Sequence, residues 1–408
     1  MRSASPRPTV REIKTMLLEF HKERDYRLFE SFPLVSVDPT VMFVNATITP
    51  FKSWFTDGSM HPDNYALIQG CLRMGGASEL NVVGSNPYYF TFFEMFGSGT
   101  FHTTHDKAVS YLLELLAVFG IEKKHLYFTI PTSKEFYEAL KSNGVEEAQI
   151  FQLTENDYFW QEWKFGVPGP VGHGLTTIFS RSSEEAESVE QLTDDQDRYV
   201  ELLNLIHVHS QSLPDGGLVP IANPGFDLGV GIERLAAVLQ GCDSYRVDTI
   251  FPLVQTVKGF LSEQREEPKD AIARICADHF RAICVLLAQG LLPSNKGHGY
   301  VLRKLMRRFL ETVWSSLGKP TPTNKLIQRL SNAFESRGCA VGVSEYTNVA
   351  DKMMEEETAL LNVLQQAEQI IRQHPDASPQ TLHDTYGISE TLRALVQQNR
   401  YHQEGGET

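Results

Sequence analysis

Residues 225–241 read GFDLGVGIERLAAVLQG. At the centre, Gly229-Val230-Gly231-Ile232-Glu233-Arg234 leads into an apolar helical pattern. Glycines at a strand-to-helix junction let a ligand lie close against the backbone. An arginine at the helix start can pair bidentately with phosphate, and its flat guanidinium can stack on a base. Asp227 sits just upstream on the same predicted strand, placed to receive an ammonium group. The run is not the dinucleotide fingerprint, which needs a third glycine where this chain has Arg234. Taken alone, it fits a structural glycine turn with an exposed arginine better than it fits a phosphate site.

A second constellation changes the balance. In GCLRMGGASELNVVGSNPYYFTFFEMFG, residues 70–97, Arg73 leaves a strand into a glycine turn and the chain returns along an aromatic strand. Such a hairpin can hold an arginine over an α-phosphate, where charge builds up during adenylation. Phe93 can offer its face to adenine, whereas Phe92 and Phe96 read as core residues of an amphipathic strand. The histidines read as bystanders. His102 and His105 are three apart without a cysteine partner and read as turn or surface residues. His207 and His209 read as one core-facing and one solvent-facing position of a strand. The five cysteines, at 71, 242, 276, 284 and 339, form no CxxC pair, which argues against a disulfide framework or a zinc knuckle.

The elements that must position these residues follow from periodicity. Thr9 and Glu12 have capping-box spacing, and Ile13, Leu17 and Phe20 then repeat on one face, so a first helix starts there. From about residue 32 to 101, short runs such as VMFVNA (41–46), LNVVG (80–84) and YYFTFFEMF (88–96) alternate with Gly, Pro and Asn turns and predict antiparallel strands. A helix is predicted over 106–119, and strands over 125–130 and 175–180. The acidic, Ser-rich stretch 181–197 reads as a solvated loop. Beyond residue 245 the apolar spacing turns helical, at 271–287, 300–317 and 351–373. The expectation is an α+β domain over 1–245, a helical domain over 246–400 and a disordered tail over 401–408.

Composition is consistent with this. In 408 residues, 41% are hydrophobic and 22% charged, enough for a large core. The net charge of −14 argues against non-specific coating of nucleic acid, which is mostly phosphate neutralisation. No apolar run approaches the roughly 20 residues that cross a bilayer. The N-terminus MRSASPRPTVREIK has no signal-peptide pattern, so a cytoplasmic location is expected.

DPTVMFVNA, CLRMGG, TFFEMFG, DRYVELLN, GVGIERLAAVLQ, ADHFRA, LLPSNKGHGYVLRKLMRR and HDTYG, in that order and spacing, resemble alanyl-tRNA synthetase across nearly the whole chain. The resemblance implies a class II aminoacyl-tRNA synthetase antiparallel sheet with flanking helices, followed by an all-helical tRNA-recognition domain. It implies ATP with magnesium, which comes bound to the nucleotide and not in a protein-only metal site, and L-alanine as substrate. Arg73 is then the arginine on the α-phosphate, and Arg234 the one beside adenine and the γ-phosphate. Phe93, Met95 and Gly231 would complete the ATP site. Trp160, Asn204, Asp227 and Gly229 would form the amino-acid site, and Asp38 and Asn45 would be architectural. Asn295, Arg303, Lys304, Arg307 and Arg308 would face the acceptor, the last four on one basic helix face.

Departures from the family pattern are also present. A motif-loop lysine is replaced by Ala77 or deleted, Pro87-Tyr88-Tyr89-Phe90 replaces a cationic turn, a family glutamate becomes Thr177, and Thr391 stands at a tRNA-reading aspartate. The first, second and third are expected near the site. The family's editing and C-terminal oligomerisation regions find no matching residues. Three readings stay open: a tRNA-charging enzyme, an alanyl transferase acting on a small molecule such as a nucleoside or on a carrier protein, and a catalytically silent synthetase-fold binding protein. The oligomeric state stays open too.

Overall fold

The computed structural model describes residues 7–74, 81–132, 134–153, 162–182, 184–264, 269–336, 349–386, 388 and 390–404. Trp160 and Ala77 lie outside the described residues. The chain divides into two compact units, Met1–Leu72 with Phe93–Val247, and Arg73–Phe92 with Asp248–Thr408.

In the first unit, helix α1 (Val10–Lys22) begins at the expected capping box. The Thr9 amide donates to Glu12 Oε2 at 2.7 Å, and the Glu12 amide donates to Thr9 Oγ1 at 3.3 Å. Ile13, Leu17 and Phe20 are buried, each stabilising by about 1.5–3 kcal/mol. The sheet strands are β1 (Arg27–Phe29), β2 (Tyr65–Leu72) and β3 (Phe92–Phe101). Helix α2 (His105–Val118), β4 (Leu126–Pro131), helix α3 (Lys134–Ser142), β5 (Ile150–Leu153) and β6 (Glu162–Lys164) follow. The long strands β7 (Gly169–Ser180), β8 (Tyr199–Ser212) and β9 (Leu218–Gly231) lead into helix α4 (Ile232–Gln240).

Eight strands run in the order β1-β2-β3-β9-β8-β7-β4-β5, with β6 paired to β7. The β3-β9-β8-β7-β4 run is antiparallel, as expected, while β1·β2 and β4·β5 at the two ends are parallel. The strand expected over VMFVNA reduces to one bridge, Val35 to Phe43. Its Phe43 and Val44 are buried as packing residues, so hydrophobicity alone misreads the segment. The strand expected from Tyr88 starts only at Phe92. The loop over 181–197 includes a short helix, Val189–Asp194, capped by Ser188.

The second unit is helical: α5 (Phe251–Gln264), α6 (Asp270–Ala288), α7 (Gly297–Leu317), α8 (Asn324–Ser336), α9 (Val349–Gln373), α10 (Pro379–Tyr386) and α11 (Glu390–Glu404). Helix α11 runs into the stretch expected to be disordered, with Leu392, Leu395 and Val396 buried along it. No helix among the described residues is long and apolar enough to cross a membrane. The segment Arg73–Phe92 packs within this unit. The Thr91 amide donates to Asp278 Oδ1 at 2.9 Å, and the Arg281 guanidinium lies over the Phe90 and Phe92 rings. An added Cβ on Gly84, whose φ is +85°, would meet Ile275 at 2.6 Å and the Ala271 carbonyl oxygen at 2.7 Å, so only glycine fits that approach.

Candidate functional site

Strands β3, β9 and β8 bring one row of residues to one sheet face. Across the ladders Met95 pairs with Gly231, Gly97 with Gly229 and Gly99 with Asp227, and Asn204 pairs with Gly229. Alternation along each strand puts these residues on the same side. Phe93, two residues before Met95, shares that side and is half-buried, whereas Phe92 and Phe96 are fully buried, as expected.

The four glycines of this face serve two purposes. An added Cβ on Gly97 would strike Thr47 Oγ1 at 2.0 Å, and one on Gly99 would strike the Tyr65 ring at 2.1 Å. These two are demanded by packing. At Gly229 the nearest atom is Met95 Sδ at 3.4 Å, and at Gly231 it is the Arg234 side chain at 3.6 Å. Both are ordinary contacts, so the protein's own packing does not require glycine at 229 or 231. Their bareness leaves room for something that is not protein.

Asp227 is 4% exposed, and its Oδ1 has no hydrogen-bond partner among the described residues. Burial raises its carboxyl pKa to about 7. An orphaned buried carboxylate is costly unless a cation arrives. The Tyr65 hydroxyl is likewise buried without a partner, and burial together with the Asp227 charge pushes its pKa upward. Asn204 Oδ1 accepts from Thr176 Oγ1 at 2.7 Å, and its amide nitrogen donates to Glu201 Oε1 at 3.1 Å.

Arg234, in the first turn of α4, extends its guanidinium to Glu201. Nη1 lies 3.3 Å from both the Glu201 carbonyl oxygen and Oε1. Its neighbour Glu233 points the other way and is buried, with its carboxylate accepting the Glu94 amide at 3.1 and 3.2 Å. Glu94 in turn pairs with Lys14 of α1 at 2.5 Å. This buried clamp fixes the start of α4 against β3 and thereby aims Arg234. Sequence reasoning passed over Glu201 and Glu233. The signal was there, since Glu201 stands three residues before Asn204 and Glu233 abuts Arg234, but only the fold shows which carboxylate faces the site.

Asp38 pairs with Lys52 at 2.5 Å and accepts from the Thr40 amide and hydroxyl, and Asn45 accepts from Thr49, which are scaffold contacts. Thr177 was expected near the site. It is instead fully buried and pairs with Leu203, one position out of step with Thr176 and Asn204, so it faces the opposite side. In the second unit, Arg73 is exposed and its amide donates to the Thr91 carbonyl oxygen at 2.9 Å. Of the aromatic turn, Tyr88 and Phe90 are buried while Tyr89 is exposed.

The basic residues of α7 do not form one free cationic face. Glu356 of α9 accepts from both Arg303 Nε at 3.0 Å and Arg307 Nε at 2.5 Å, and Arg303 also donates to the Asn295 amide oxygen. Arg308 is half-buried and feels the charges of Asp278 and Glu311, while Lys304 is exposed. The i, i+4 spacing that aligns cations on a helix also lets one facing carboxylate engage two of them.

Comparison with known proteins gives a consistent family. The description "tRNA synthetases class II (A)" matches residues 12–402. Alanine–tRNA ligase of Solibacter usitatus is 36% identical over 317 residues, covering 75% of this chain and 36% of that protein. The alanine–tRNA ligase of Jannaschia sp. is 31% identical, covering 96% of this chain and 46% of that one, and that of Nitrobacter winogradskyi is 32% identical, covering 93% and 44%. The chain therefore spans less than half the length of these curated relatives.

Proposed function

Because the chain belongs to the class II tRNA synthetase family, we propose that it activates alanine with ATP to alanyl-adenylate and passes the alanyl group to an acceptor. The observation that carries this reading is Asp227: a buried carboxylate with an unpartnered oxygen, beside two glycines that packing does not require. The substrate's α-ammonium is the cation that relieves it. Asn204, held by Thr176 and Glu201, orients the amino acid. Arg234 draws the nucleotide to the same face, with Phe93 and Met95 beside it, and Arg73 keeps the α-phosphate role that the resemblance implies.

The alanine carboxylate then attacks the α-phosphorus and pyrophosphate leaves, so catalysis is mainly positioning and electrostatic stabilisation. Magnesium arriving with ATP takes hard oxygen donors. The Glu201 carboxylate fits that set and would hold it, and the ion would neutralise phosphate charge.

For the acceptor, tRNA is the family's choice. The engagement of Arg303 and Arg307 by Glu356 favours a second reading, transfer to a small molecule or carrier protein. Amino-acid-dependent ATP–pyrophosphate exchange with alanine, glycine and serine tests the activation step. Exchange with alanine that Arg234→Ala lowers by about a thousandfold is expected. No exchange with any of the three would overturn the reading in favour of a silent binding protein.

A further inference from the structure

The opposite face of the same sheet carries a cluster that the proposed reaction does not use. His207 and His209 were expected to face opposite ways. They face the same way, with their rings 5.5 Å apart. His173 of β7 pairs across from His207, and His209 sits at an irregularity in the β8·β9 ladder, between Val208 and Ser210. There its Nε2 meets His173 Nδ1 at 2.8 Å and its Nδ1 meets Ser210 Oγ at 2.8 Å. His105, expected to be a turn or surface residue, opens α2. Its ring lies edge-on to His207 at 4.6 Å, and His207 in turn stacks on the buried Phe226 at 4.8 Å.

These four imidazoles line a cavity of about 540 Å³, together with Lys134, Glu135 and Phe136 of the first turn of α3. Two helices therefore begin at the cavity wall. Backbone N–H groups of a helix's first turn lack intrahelical partners and carry partial positive charge. A strand irregularity that re-aims a side chain is a common mark of a functional position.

The charged groups around the cavity bear on what it can take. Among the described residues, no three His, Cys, Asp or Glu groups are arranged to hold a metal ion. Burial and the neighbouring imidazoles of His105 and His209 hold the His207 pKa down, at about 4, and burial lowers that of His105. Lys134 is paired with Glu138 at 3.1 Å. Asp106, beside His105, is turned to Ser142 and Asn143. The exposed Glu135 favours the protonated forms of His105 and His207, although it opposes an anion directly. A neutral imidazole can donate one N–H. Both ring nitrogens of His209 are already engaged, so His105, His173 and His207 are the ones to meet a ligand. An anion among them offsets the repulsion that protonation would otherwise create.

We infer that this cavity is a second ligand site, which takes the phosphate group of a small molecule and binds protons on its histidines together with it. The inference is independent of the adenylate reading, since the Asp227 row lies on the other face of the sheet.

Titration calorimetry of the full chain with inorganic phosphate, near pH 6 and near pH 8, tests it. Binding about tenfold tighter at the lower pH is expected, with an enthalpy that changes with the buffer's own ionisation enthalpy. His207→Asn should abolish it. Lys134→Glu, an exposed change that leaves the core intact, should weaken it several-fold, and Arg234→Ala should leave it unchanged. Ribose 5-phosphate binding more tightly than phosphate would assign an ester, and the reverse order free phosphate. Absence of binding, binding indifferent to both His207→Asn and Lys134→Glu, or binding lost in Arg234→Ala would overturn the inference. So would one-to-one zinc binding that depends on His207, which would make the cluster a cation site.

Discussion

The two faces of the central sheet hold desolvated ionisable groups of opposite kinds, and burial disfavours the charged form of each. On one face the Asp227 pKa is raised to about 7, and on the other the His207 pKa is lowered to about 4. The same desolvation acts on an acid and on a base, so the shifts run in opposite directions. Under the two proposals, the Asp227 face should release a proton when the substrate's ammonium binds, and the His207 face should take protons up together with an anion. The comparison teaches that one physical cause, burial, acts in opposite directions on the acid of one face and the base of the other.

The largest effect that would break this comparison lies at Asp227. Asp227→Asn keeps the shape and removes the charge, so amino-acid-dependent exchange should fall by about a hundredfold or more in kcat/KM, with ATP still bound. The folded pKa lies above the unfolded value, so the unfolded state releases its proton first and stability falls as pH rises from about 4 to about 7. The ligand-free Asn variant should therefore be more stable than wild type near pH 8, by roughly 1–3 kcal/mol in denaturant unfolding. A variant that is less stable there would show that Asp227 has a partner the structure does not reveal.

Next come the glycines of the same row. Gly99→Ala pushes a methyl into the Tyr65 ring and should cost about 2–4 kcal/mol in thermal or denaturant unfolding. Gly229→Ala meets only Met95 Sδ, so stability should change by less than about 1 kcal/mol. Its exchange activity should nevertheless drop by at least about tenfold. Equal stability losses at the two positions would mean that Gly229, too, is kept for packing.

The smallest effect sharpens the histidine side. With its folded pKa below the unfolded value, His207 lets the unfolded state bind a proton first as pH falls. Stability should then be lost between about pH 6.5 and pH 4, the reverse of the Asp227 window. Melting temperature followed from about pH 7 to pH 5 should fall by a few degrees less in His207→Phe than in wild type. Identical slopes would remove His207 from the acid response.

Much of this was legible in the residues. The capping box of Thr9 and Glu12 and the 3.6-residue spacing over 271–287, 300–317 and 351–373 are local signals, and local hydrogen bonding and one buried stripe suffice to realise them. The strand-to-helix junction at Gly231 could be read the same way, and with it the Asp227, Gly229 and Arg234 set. The run VMFVNA misled because burial of Phe43 and Val44 looks the same in one dimension whether or not a neighbouring strand pairs with them.

What only the tertiary structure decided depends on which segments meet. No spacing reveals that His105, His173, His207 and His209, drawn from one helix and two strands, line one cavity. Nor does any reveal that one Glu356 engages two arginines of another helix, or that Glu233 clamps β3 while Arg234 turns to Glu201. The chain alone determined which residues are able to hold charge. Only the fold, by setting burial and partner for each, determined which of them still have charge to recognise.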